Sequence, residues 1–171
     1  MTALPNIPRL YTALAECLAI GLYARPLGMR FSKKATAALS AGWALALGAF
    51  LQATGHVPLA WWVPCMAAAV VIQYFYLWIT RTISLLEAGY VCARAFVLAE
   101  LAASAEWQLH CALWPQRSGA DGASLLLLAA VYGGVFGCIW VLEHKHTSPK
   151  GRITIGNKAA LVAVVMAAMV F

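Results

Sequence analysis

Glu87, Arg94, Glu100, Glu106 and His110 stand in one stretch, residues 85–115, whose other positions are mostly Ala, Leu, Val and aromatic. Titratable groups in such surroundings can hold a proton, pair with an opposite charge or grip a polar solute. The stretch has no internal proline and is rich in Ala and Leu, so it is expected to be one long helix. At 1.5 Å per residue that helix is about 43 Å long, enough to cross a bilayer and its headgroup layers.

Helical geometry sorts these residues by face. Glu87 and Arg94 point within about 20° of each other, two turns apart. They share a face without forming a bridge, and Arg94 is expected to snorkel toward the inner surface. Glu100 falls near mid-span, about 120° from Arg94. A carboxyl there needs a partner on another helix or a proton shared with one. Glu16 is the candidate for sharing, and Gln52, Gln73 and Tyr132 are further polar groups within reach. Glu106 and His110 are four residues apart on one face near the outer end, spacing that suits a water-exposed pair at a pocket mouth. The alternative for every one of these residues is structural, as interhelical hydrogen-bonding glue.

Other chemistries are poorly represented. There is no Gly-x-Ser-x-Gly, no His-Glu-x-x-His and no phosphate-binding glycine loop, so no catalytic residues are assigned. Cys111 beside His110 does not make a peptidase pair, because adjacent helical residues point about 100° apart. Cys17, Cys65, Cys92, Cys111 and Cys138 are scattered along the apolar segments, with no close pair and no metal or redox spacing. They read as small packing residues. Leu14-Ala15-Glu16-Cys17 is close to a lipoprotein cleavage box, but Glu16 is wrong for it and no basic signal start precedes it. The first span is therefore read as retained. His144 and His146 flank Lys145 without an accompanying carboxylate or thiol cluster, and read as a solvated turn. No metal and no cofactor are expected.

The elements that would hold the polar residues are membrane spans. The 171 residues are 63% hydrophobic and only 11% charged, against about 25% charged in soluble domains. The expected fold is an all-α, polytopic transmembrane bundle, a single domain of about six helices near 8–24, 35–54, 58–80, 85–114, 123–142 and 158–171. Pro8 suits the first turn of the first helix with Asn6 as a cap, and Arg25-Pro26-Leu27-Gly28 ends it. No Asp, Glu, Lys or Arg occurs over residues 35–80, a length right for two crossings, with Gly55-His56-Val57-Pro58 as the turn. Trp61 and Trp62 at one end of the third helix, and Tyr74, Tyr76 and Trp78 at the other, read as interfacial belts. Gly133 and Gly137 form a GxxxG spacing that would let helix backbones approach.

Basic residues set the orientation. With the N-terminus outside, the inner loops hold nine Lys and Arg, and the outer segments only Arg9 and Arg117. The net charge of +6 therefore describes membrane topology and gives no reason to expect nucleic acid. The final apolar run, Ala159–Phe171, is 13 residues, where a span needs about 20. The expectation is a truncated last helix in a fragment of a longer protein, with a seventh crossing returning the chain to the cytoplasm.

The run from Cys92 to Leu109, with Arg94-Ala95-Phe96, Ala99-Glu100 and Glu106-Trp107-Gln108, resembles a segment in the membrane portion of GHKL-type bacterial sensor histidine kinases. Those kinases are found in Gram-positive gut bacteria and are distantly similar to peptide-sensing quorum receptors. The resemblance is strong over about 18 residues, and elsewhere extends only to topology. It implies Arg94, Phe96, Glu100, Glu106, Trp107 and Gln108 as signature positions. It also implies a multi-pass protein of the cell membrane that receives an extracellular peptide or small-molecule signal, as a homodimer. The phospho-accepting helix and ATP-binding domain of that family are absent, so this chain would be the sensor region alone, without catalysis. Arg94, Glu100, Glu106, Trp107, Gln108 and His110 are the signal-related candidates, with Glu16, Glu87 and Gln73 as secondary intramembrane polar groups. The alternative is a small multi-span transporter or substrate-binding membrane subunit, in which Glu100 and Arg94 contact a solute or proton. A membrane enzyme is a third class.

Overall fold

The computed structural model describes residues 7–55, 57–114 and 122–146. These form five helices: α1 (Arg9–Ala24), α2 (Lys33–Ala53), α3 (Leu59–Thr80), α4 (Leu85–Leu113) and α5 (Gly122–His146). The expected bounds hold to within two residues, except that α5 runs four residues further. The expected helix at 158–171, the Asn6 cap and the Gln116 turn lie outside the described residues.

Local chemistry sets the helix starts. Ser84 Oγ accepts from Glu87 N at 3.3 Å, and Glu87 Oε2 accepts from Ser84 N at 2.8 Å. This reciprocal capping box starts α4. Glu87 is thus a capping residue at the helix mouth, not the intramembrane polar group expected beside Arg94. Ser32 caps α2 through a 3.3 Å bond from Ala35 N, which draws Lys33 and Lys34 out of the loop into the first helical turn. Pro8 stands just before α1 rather than within it, at the N-cap position and with no side-chain cap bond. Pro64 lies inside α3, where it lacks the N–H for one helical bond; such prolines are tolerated in membrane helices.

α1 and α4 form the centre. α1 packs on α2, α4 and α5, while α4 packs on α1, α3 and α5. Their contact is lined with small residues. Ala15 and Ala19 of α1 and Ala88, Ala95, Ala99, Ala102 and Ala103 of α4 are all buried, and side chains of this size let helix axes come close. The buried stripe of α4 recurs every three or four residues and ends in Glu106 and His110. The bundle interior therefore becomes polar toward the C-terminal end of α4.

The outer surface is apolar. Leu45, Val63, Leu86 and Leu126 are each more than 60% exposed, and such a surface fits lipid rather than water. Three segments, Lys33–Ala53, Ala60–Thr80 and Gly122–Leu142, are long and apolar enough to cross a membrane. α1, with 16 residues, spans about 24 Å, and α4 carries four charged residues.

At one end the α1–α2 and α3–α4 connections are strapped together. Arg30 N donates to Thr80 O at 3.0 Å and Thr82 N to Gly28 O at 2.9 Å, around a β-bridge between Met29 and Arg81. Arg25, Arg30, Lys33 and Lys34 are exposed at this end.

Two expectations about packing are corrected. Tyr76 is not a belt residue: it is buried, stacks on Trp43 with ring centroids 4.3 Å apart and pairs its hydroxyl with Ser40 Oγ at 2.6 Å. The GxxxG spacing brings no backbone close, because a Cβ added at Gly133 or Gly137 would meet nothing within 4 Å. Both glycines instead line a shallow apolar groove beside Leu14 and Leu18 of α1.

Candidate functional site

The polar interior begins where α1 meets α3. Glu16 and Gln73 are fully buried, and Gln73 Nε2 donates to Glu16 Oε2 at 2.5 Å. Each keeps one oxygen, Oε1, without a hydrogen-bond partner. α1 delivers Glu16 to the core because it continues the stripe of Thr12, Ala13, Ala15, Ala19 and Ile20.

Glu100 of α4 lies within electrostatic reach of Glu16. The same carboxyl also feels the opposite charge of Arg9, the first residue of α1. Arg9 and Glu100 line one cavity of about 410 Å³, together with Ile7, Thr12, Gly55, Val57, Trp62 and Met66. Ile7, Arg9, Val57 and Trp62 are half-buried, and Met66 and Thr12 are buried. The cavity sits at the end of the bundle opposite the strapped basic loops. Gly55 keeps the α2–α3 turn close to Arg9, since a Cβ there would come within 3.2 Å of Arg9 Cγ.

Further toward the C-terminal end of α4, Glu106 and His110 are buried at 0% and 4% exposure. Neither Glu106 oxygen has a hydrogen-bond partner, and His110 lies within electrostatic reach of the carboxyl. The His110 ring stacks on Trp107 with centroids 5.1 Å apart and meets Trp114 at 5.6 Å. Tyr132 of α5 reaches both Glu106 and Glu100 electrostatically, and its hydroxyl donates to Tyr11 O at 2.9 Å. The groups Gln73, Glu16, Glu100, Tyr132, Glu106 and His110 form a polar seam shared by α1, α3, α4 and α5.

No family model, curated protein or solved structure matches this chain. The functional reading therefore rests on the residues themselves.

Five of the expected residues gather: Glu16 and Gln73 pair directly, Glu100 adjoins them, and Glu106 with His110 continues the seam. Glu16 and Glu100 lie within electrostatic reach of each other, but the hydrogen bond that Glu16 accepts comes from Gln73 rather than from Glu100. Glu106 and His110 do share a face, but the water-exposed pair expected of them is corrected to a buried one, because they continue the stripe of α4 that packs into the bundle. Arg94 stands apart, its guanidinium 4.5 Å from the Tyr23 ring centre and 5.5 Å from that of Tyr90. Gln108 is exposed and Trp107 half-buried. Gln108 therefore lies off the seam, on the face of α4 turned from the bundle. Gln52 is likewise exposed and no partner to Glu100.

Arg9 is the residue that the sequence conceals. It reads as a flanking topology charge, and nothing linear connects it to Glu100, 91 positions away. Trp62 reads as a belt residue for the same reason. Among the described residues no group of three or more His, Cys, Asp or Glu could hold a metal ion, and the described cysteines are all free thiols.

Proposed function

We propose that this chain is the signal-reception region of a multi-pass sensor in the bacterial cell membrane, of the GHKL-type histidine kinase class, binding its signal in the Arg9–Glu100 cavity. The carrying observation is that cavity, with two opposite charges at the bundle end away from the basic loops. The proposed topology puts the N-terminus and cavity outside and the basic loops in the cytoplasm. A ligand wedged between α1, the α2–α3 turn and α4 would act on the central helix pair and shift the bundle between two packings. A kinase of this class would carry that shift across a homodimer to a cytoplasmic catalytic domain.

The seam supports one other reading. A chain of buried ionisable groups beside a cavity also suits a small solute transporter, with Glu100 and Glu106 carrying protons.

The deciding experiment reconstitutes the chain in lipid nanodiscs and proteoliposomes and screens small polar molecules and peptides for thermal stabilisation. Signal reception expects a stabilising ligand that is not accumulated by the vesicles, with the effect lost in Glu100→Gln while the variant stays folded. An unchanged response in Glu100→Gln would overturn the site, and accumulation would replace reception with transport. Cysteine-accessibility labelling at Arg30 and Val57 positions tests the orientation.

A further inference from the structure

We propose that the cavity takes a small zwitterion: a free amino acid with an apolar side chain. The inference rests on the reading of the cavity as a ligand site and names the ligand's chemistry.

Arg9 and Glu100 come from different helices and face the same space. Among the described residues no salt bridge joins them, and Glu100 Oε1 has no hydrogen-bond partner. Charges kept only for stability would close on each other. Arg9 is also poorly placed for stability alone, since a cation in the first turn opposes the helix dipole. A ligand carrying only one charge would neutralise one residue and leave the other uncompensated at the edge of a low-dielectric bundle. A zwitterion answers both.

The chemistry of each group assigns its end of the ligand. The planar guanidinium of Arg9 matches a carboxylate in a two-point fork. The Glu100 carboxylate accepts from an ammonium, and the buried Thr12 hydroxyl adds a donor or acceptor between them. Ile7, Val57, Trp62 and Met66 make the remaining wall apolar, which fits an aliphatic or aromatic side chain. The volume, about 410 Å³, is at the small end of the range for ligand pockets, about 300–1,000 Å³.

Calorimetric titration of the whole chain in nanodiscs with leucine, methionine and phenylalanine tests this. Each is compared with its N-acetyl derivative, which lacks the ammonium, and its amide, which lacks the carboxylate. At least one free amino acid is expected to bind about tenfold or more tightly than both derivatives. Arg9→Gln should abolish the preference over the amide and keep the preference over the N-acetyl form, and Glu100→Gln should do the reverse. If Glu100→Gln fails to fold, Arg9→Gln with the amide series still decides. The proposal is overturned if no free amino acid outbinds its derivatives, or if both variants keep wild-type discrimination. Failure of the parent reading looks different: amino acids that bind as expected but accumulate in proteoliposomes leave the ligand class standing and remove reception. A non-zwitterionic peptide that stabilises the chain through Glu100 does the opposite.

Discussion

Glu16 of α1 and Gln73 of α3 meet in a 2.5 Å hydrogen bond with both side chains sealed from solvent. This contact fixes α1 against α3, which otherwise meet mainly through their neighbours. Glu16→Leu leaves the Gln73 amide buried without its acceptor, a loss of about 1–3 kcal/mol. Thermal unfolding in detergent should show the fall in Tm. Adding Gln73→Leu should recover much of it, because removing both partners costs less than removing one. Additive losses would contradict a direct bond.

Glu106 has the opposite balance. Its two oxygens are buried and unpartnered, so its retention costs stability. Glu106→Leu should raise Tm, by an amount equivalent to about 1 kcal/mol or more. A drop in stability would show that the carboxyl holds the bundle together through His110.

Tyr76 and Ser40 pair α3 with α2 through a 2.6 Å hydroxyl contact. Tyr76→Phe keeps the stack on Trp43 and loses only this bond, so the expected cost is about 0.5–1.5 kcal/mol. Ser40 Oγ also donates to Thr36 O at 2.8 Å, so in a double-mutant cycle Ser40→Ala should cost less in the Tyr76→Phe background than in the wild type. An equal further loss would mean that the two hydroxyls act independently.

The strap between the two basic-end loops depends on Gly28. A Cβ at that position collides with the Thr82 hydroxyl, which donates to Gly28 O at 3.2 Å. Gly28→Ala should cost about 0.5–1.5 kcal/mol, the value of the bond Thr82 must give up. Thr82→Ala should remove the sensitivity to Gly28→Ala. Equal Tm losses from Gly28→Ala in both backgrounds would reject the clash as its source.

Gly133 and Gly137 face open space in the single chain. Gly133→Ala should therefore be stabilising by about 0.5–1 kcal/mol through backbone entropy alone. Cross-linking before and after the substitution separates this from a dimer contact: unchanged Tm with lost cross-linking would place the glycines between two chains.

The five described helices were legible before any coordinates because each reports itself locally. Uncharged runs of span length and Pro and Gly at the turns are short-range signals, and the resulting backbone hydrogen bonds are short-range too. Facing was legible for the same reason: Glu106 and His110 share a side of α4 by helical period alone. Burial was not. Whether a face meets lipid, water or another helix depends on which helices pack there, and the packing around α4 turned an expected surface pair into an interior one. Pairing was legible only as a set of options. Glu16, Gln52, Gln73 and Tyr132 are equivalent partners for Glu100 in one dimension; packing exposed Gln52, joined Gln73 to Glu16 and brought Tyr132 in from α5. Arg9 shows the limit most clearly. Its type and position say only that a helix begins at a membrane edge, whereas its place opposite Glu100 arises because α1 and α4 lie side by side through small residues, a relation between distant segments that no local spacing encodes.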